Sequence, residues 1–334
     1  LFEGLKEEVE ERGNNPIEHY GYMGPFSKVN ELYGSLCRPG NICTFASRSG
    51  NYKSSILLYY GIHLAATYGI PILAADNGEM ESVELKMRAV ACLSGVPYHL
   101  VESGQWRKNK ETTDKVREVW PKVEKLKYYY IPVGGKTTQE MIGLVRRMYY
   151  NKVGRDNPTV FVFDYFKGYN DKSDKGEWFV LGNVVQDFKD FITGEIPMGM
   201  LAASQTNRFG ITTNRNEKDM QDDEGVLSAS DRIYFFSSHV FLLRKKGLDT
   251  VAQEHNKFGN YILRNLKARH LGKNIQDAIN LVKMSDGSFK QNYIHMLIQN
   301  FRFQELGDLA STKDKLGQID VDDHKNNDGA DVTL

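Results

Sequence analysis

The chain has 334 residues, 40% of them apolar, enough to bury one large core or two small ones. Forty-three Lys and Arg balance forty-three Asp and Glu, so the bulk charge announces neither a nucleic acid nor a membrane surface. No apolar run approaches the ~18 residues of a membrane span, no signal-peptide pattern opens the chain, and Cys37, Cys43 and Cys92 lack the spacing of a disulfide frame or zinc cluster, which fits a reducing cytoplasm.

The opening LFEGLKEEVEER places Leu1, Leu5 and Val9 on one helical face and acids on the other, and Gly13-Asn14-Asn15-Pro16 ends the pattern. Such a helix lies either on its own domain or on a neighbouring subunit. From Asn41 onward, buried strands alternate with amphipathic helices. NICTFAS precedes a helix from Lys53 to Tyr68, and IPILAAD precedes one carrying Val83, Met87, Val90 and Ala91. KYYYIPV precedes a helix from Thr138 to Tyr150, TVFVFDY one from about Trp178 to Phe191, and MGMLAAS is a fifth strand. Continuous apolar strands joined by helical crossovers imply a mostly parallel, twisted sheet covered on both faces, so the fold class is α/β.

Beyond Ser204 a polar loop leads to HVFLLRK, NYILRNLKAR and AINLVKMSDGSFKQNYI. Asp286-Gly287 is a turn signal there, and C-terminal antiparallel hairpins are expected to close one end of the sheet. From Gln304 the text loses its aromatic residues and its periodicity, and residues 305–334 hold eight acids against three bases. Such a segment is expected to stay disordered. The predicted organisation is a helix and linker over 1–19, a folded α/β body over 20–304 and an acidic tail over 305–334. The chain starts at Leu1, as a fragment of a longer protein would.

The first strand runs directly into Ser47-Arg48-Ser49-Gly50-Asn51-Tyr52-Lys53-Ser54-Ser55 and then a helix. This is the context of a phosphate loop: backbone N–H groups and a helix N-terminus face an anion, a Lys reaches the outer phosphates, and a hydroxyl meets a magnesium ion. Lys53 and Ser54 stand at the matching positions, but Ser47 and Tyr52 replace the two motif glycines. If the turn requires positive φ at Tyr52, the Cβ costs about 1–2 kcal/mol. Asp164 ends the fourth strand, where a carboxylate can hold a metal beside such a loop. Glu79 follows the second strand at the edge where open α/β sheets bind ligands and is the candidate to polarise water, with Asp76 and Glu81 as competitors. The fifth strand delivers Ser204, Gln205 and Asn207 to the same edge.

Taken in this order, the segments resemble the motor domain of the DnaB-type replicative helicases, a branch of the RecA-like ring ATPases, over roughly residues 20–295. GYMGPFSKVNELYGSLCRPGNI resembles the family's lead-in to the first strand, and SRSGNYKSS occupies the phosphate-loop place. GEMESVELKMR is similar to the segment bearing the catalytic glutamate, which maps to Glu79. VFDYF resembles the Walker B strand and gives Asp164. SQTNR is close to a Ser-Gln-x-Asn-Arg signature, giving Gln205 as phosphate sensor. LKARHLGK carries a Lys-x-Arg pair that in the family reaches the neighbouring subunit's nucleotide, here Lys267 and Arg269.

The resemblance implies a RecA-like P-loop ATPase using ATP and Mg²⁺, closed head-to-tail into a hexameric ring on single-stranded DNA. It also implies a linker helix at residues 1–12 that packs on the adjacent motor, and a domain preceding it. Two polar loops would face DNA, with Lys172, Lys175, Arg215 and Lys218 as the candidate phosphate contacts. Primase, a helicase loader or a polymerase are the implied partners. A bacterial cytoplasm, or a host cytoplasm for a viral protein, is the implied compartment. Two other readings fit the same residues: a RecA-like recombination or repair ATPase that forms filaments on DNA, and a nucleotide-binding scaffold or loading factor that no longer hydrolyses ATP.

Overall fold

A computed structural model describes residues 3–166, 177–206, 231–285 and 287–316. Its centre is set by strands that are apolar at both parities. β1 (Ile42–Ser47), β2 (Ile72–Asp76), β3 (Tyr128–Pro132), β4 (Val160–Phe166), β5 (Gly199–Gln205) and β6 (His239–Lys245) run parallel. Successive side chains of a strand face opposite sides, so each side needs its own cover. Cys43, Phe45, Ile72, Ala74, Val160, Val162, Leu201 and Ala203 pack beneath α2 (Ser27–Tyr33) and α3 (Lys53–Tyr68). Ile42, Leu73, Ala75, Phe161, Phe163, Met200 and Ala202 pack on the other side beneath α8 (Thr138–Met148) and α9 (Glu177–Asp190).

β7 (Tyr261–Ala268) adds antiparallel to β6, and β10 (Ile294–Gln299) and β11 (Arg302–Asp308) extend that side as a hairpin. Among the described residues the sheet has nine strands in the order β11-β10-β7-β6-β1-β5-β4-β2-β3. The expected strands and the helices of the α/β part stand within a few residues of their predicted places. Two details differ: β6 joins the parallel part, and the hairpin signalled by Asp286-Gly287 is a separate small sheet, β8 (Leu281–Lys283) with β9 (Phe289–Gln291).

Residues 96–126, unassigned in the sequence, fold as α5 (Tyr98–Glu102), α6 (Lys110–Glu118) and α7 (Trp120–Val123). With α4 (Ser82–Ser94) they enclose a satellite core of Val90, Val96, Val101, Val116 and Val119. At the other extreme α1 (Leu5–Asn14) buries nothing, and Leu5 and Val9 of its apolar face are exposed.

The expected start of the tail is corrected. β11 runs across it, and a helix over 309–316 follows. The Glu305 carboxylate accepts hydrogen bonds from the Lys28 N–H (2.7 Å) and the Ser27 hydroxyl (3.1 Å), so this acid serves the first turn of α2 rather than a solvated tail. Residues 317–334 lie outside the described part. All three cysteines are free and buried, and no described helix is long and apolar enough to cross a membrane.

Candidate active site

The candidate phosphate loop, residues 47–55, leaves the carboxyl end of β1 at the middle of the sheet. Ser47 is fully buried, its backbone is not in the left-handed region, and its hydroxyl donates to the Asn51 carbonyl (2.9 Å). A side chain there closes the loop, so no glycine is required. Position 52 is different. Tyr52 has φ 60° and ψ 22°, the left-handed conformation that a glycine adopts freely and a tyrosine adopts at a cost of about 1–2 kcal/mol. Gly50 (φ 79°) supplies the other left-handed step. Arg48, Ser49 and Gly50 are exposed at the loop's crest, and Ser55 is buried beneath it. The first helical bond of α3 runs from the Ile56 N–H to the Tyr52 carbonyl, which leaves the N–H groups of Lys53, Ser54 and Ser55 without partners inside the helix.

Lys53 is buried at the start of α3, and three elements converge on it. Its Nζ lies 3.0 Å from Glu79 Oε2, 3.9 Å from Asp164 Oδ1 and 3.9 Å from the centroid of the Tyr165 ring. Asp76, the last residue of β2, stands side by side and in register with Asp164 of β4, which runs two residues further than the sequence implied. Their roles separate. Asp76 Oδ1 accepts from the N–H groups of Gly78 (2.8 Å) and Glu79 (2.9 Å), so it shapes the turn that carries Glu79 inward. Glu81 lies just before α4, exposed, with no side-chain capping bond. Among the three acids weighed in the sequence, Glu79 is the one in contact with Lys53.

Burial pushes the Asp164 carboxyl up to about 6, with Asp76 and Glu79 adding to the rise while Lys53 and a hydrogen bond from Ser54 oppose it. Asp164 Oδ1 has no hydrogen-bond partner. A buried carboxylate oxygen with spare capacity, next to a hydroxyl, is the all-oxygen donor set of a hard cation, so Ser54 and Asp164 fit Mg²⁺. Behind them a pocket of about 20 Å³, lined also by Asp76, Tyr128 and Tyr130, has room for one water-sized occupant.

Gln205 ends β5 in register with Ser47, beside the start of the loop, and Ser204 is buried within the strand. Asn207 lies outside the described residues, as do Lys172, Lys175, Arg215 and Lys218. Lys267 and Arg269 do not join the site. Lys267 is tied to the backbone of α10 (Asp231–Phe236), donating to the Tyr234 and Phe235 carbonyls, and Arg269 lies exposed where its N–H bonds the Ser238 carbonyl (2.8 Å), before β6 begins. That is the amino edge of the parallel strands, about 20 Å along β1 from the loop.

The sequence reading missed Tyr165. It stands directly after Asp164, lies against Lys53 and shares a hydrogen bond with Glu79, and its hydroxyl pKa is raised by burial and by the charge of Glu79. Its place at the carboxyl end of a site strand was the available signal.

A central parallel sheet with the candidate loop at its carboxyl edge and an antiparallel extension is the RecA-like α/β architecture, the class the fold defines. The chain is similar in structure to a DnaB-like replicative helicase described with its interactions with primase, with a TM-score of 0.70 and 13% identity over 91% of this chain and 66% of that one. It is similar also to the ATPase domain of G40P, with a TM-score of 0.71 and 12% identity over 91% of this chain and 98% of that one. The chain thus spans just under two thirds of the DnaB-like helicase, and the resemblance read from its motifs holds for the fold. No family profile matches the sequence, and no curated protein matches it.

Proposed function

We propose that the chain is an ATP-driven motor that translocates on single-stranded DNA and unwinds the duplex as a six-membered ring. The observation that carries this reading is the convergence of Lys53, Glu79 and Asp164, from three separate elements, beside a phosphate loop. Lys53 and the loop amides bind the phosphates of ATP. A phosphate competes with Glu79 for Lys53, and the released carboxylate is then available to take a proton from the attacking water. Asp76 and Tyr165 hold Glu79 in place for that transfer. Mg²⁺ held by Ser54 and Asp164 would neutralise charge on the transferring phosphoryl group. Gln205 senses the outer phosphate from the adjacent strand end.

Lys267 and Arg269 are too far from their own loop to serve it. They suit a head-to-tail neighbour, and repetition of that contact closes a ring. Lys172, Lys175, Arg215 and Lys218 contact the DNA backbone, and primase, a loader or a polymerase are the working partners of such a motor in a cytoplasm. The left-handed Tyr52 favours a second reading, a scaffold that binds ATP without turnover.

Steady-state ATP hydrolysis with and without single-stranded DNA, with Lys53→Ala as control, separates the two. DNA-stimulated turnover that disappears in the variant is expected. Tight ATP binding with no phosphate release in the wild-type chain would replace the motor by the scaffold.

A further inference from the structure

We infer that Tyr52 and Phe301 form an aromatic brace that ties the phosphate loop to the β10–β11 turn and holds it in its phosphate-accepting shape. The inference rests on the nucleotide-binding reading above and adds two positioning residues to it. The Tyr52 ring meets three others edge to face: Tyr261 of β7 (centroids 5.7 Å apart, planes at 80°), Phe301 (6.0 Å, 70°) and Phe303 of β11 (6.3 Å, 85°). Edge-to-face geometry is the favoured packing of aromatic rings, so these contacts select one ring orientation and, through it, one backbone conformation.

Phe301 is itself gripped from the far side. The Tyr98 ring packs edge-on against it (5.2 Å, 82°), and the Arg88 guanidinium lies 4.9 Å over its face. Arg88 belongs to α4, the helix that begins just after the Glu79 turn. Asn300 and Phe301 both have positive φ (48° and 62°), so the turn adopts an unfavourable backbone form that presents the ring to Tyr52. The brace therefore links the loop that binds phosphate to the helix behind the candidate base. A glycine at 52 would take the same turn without strain and with no outside hold. Tyrosine exchanges that freedom for a conformation fixed from β7 and the hairpin.

The test uses the full chain. Affinity for a fluorescent ATP analogue with Mg²⁺ is measured together with kcat and KM for ATP, and folding is checked by circular dichroism. Phe301→Ala is expected to weaken binding and raise KM about tenfold, equivalent to about 1.4 kcal/mol, with the loss confined to KM. Phe301→Tyr, which keeps the ring, restores the affinity. Adding Tyr52→Gly to Phe301→Ala is expected to weaken binding further, because Tyr261 and Phe303 still hold the ring after Phe301 is removed. A folded Phe301→Ala chain with wild-type affinity and KM overturns the brace. If that variant does not fold, Phe301→Leu, which keeps bulk without a ring edge, decides by the same two readings. A wild-type chain that binds no nucleotide would overturn the functional reading instead.

Discussion

Before any phosphate arrives, Lys53 already has a set of partners in Glu79, Asp164 and Tyr165. In the proposed motor, nucleotide binding is therefore an exchange, and part of its free energy goes into separating Lys53 from Glu79. Neutralising that rival should help binding while removing the proton acceptor. For Glu79→Gln we expect ATP affinity equal to or tighter than wild type, with turnover reduced by about 10²–10⁴. Equilibrium binding beside single-turnover hydrolysis checks both, and undiminished turnover would move the base elsewhere. That Lys53, Ser54 and Asp164 would lie together was legible from residue type and place at strand and helix ends, whereas Glu79 stood beside Asp76 and Glu81 until the resemblance chose among them. Tyr165 was not, since its part depends on which way a side chain leaves a strand end. Tyr52 read as damage to a motif because the rings that hold it lie far along the chain.

Elements were legible where period and length agreed, as in α3, whose predicted span from Lys53 to Tyr68 is the observed one. The C-terminal region was not, because its acids read as solvated charge. Glu305 instead hydrogen-bonds at the start of α2, and Asp308 is buried and accepts from Asn292 (2.8 Å). The helix over 309–316 also completes a buried polar network. Lys246 donates to Glu254 (2.5 Å) and to the Phe258 carbonyl (2.7 Å) and lies 2.9 Å from His295 Nδ1, while His295 Nε2 lies 3.1 Å from the Thr312 hydroxyl. Burial first, then the charge of Lys246, push His295 down to about 3, against a weaker pull from Asp308. The unfolded chain then binds a proton that the folded chain refuses. His295 thus costs no stability above about pH 6.5 and removes about 1.4 kcal/mol per pH unit as pH falls from there toward 3. Urea unfolding at pH 7 and pH 5 should show a shallower loss in His295→Gln than in wild type. Equal losses would mean that the histidine is not held neutral.

Across the whole molecule, the candidate phosphate loop and the Lys267–Arg269 pair occupy opposite edges of one sheet, so in the proposed motor each site is completed by a second copy. Arg269→Ala and Lys53→Ala chains should each fail to hydrolyse ATP and should recover about a quarter of wild-type turnover when mixed and reassembled in equal amounts, since a randomly mixed ring makes that fraction of its sites whole. No recovery in mixed rings of confirmed stoichiometry would place the pair outside the neighbour's site. The parallel direction of β1 to β5 and the antiparallel strands at one end were readable from the text, but which strand lies beside which was not, because pairings between distant segments leave no local period. That same side dictates an order of events during synthesis. β11 is the outermost strand and Glu305 bonds to Ser27 and Lys28 near the other end of the sequence. Until β11 emerges from the ribosome, β10 presents an unpaired edge and α2 lacks its acidic partner, so over that interval the nascent chain is open to mispairing with its siblings.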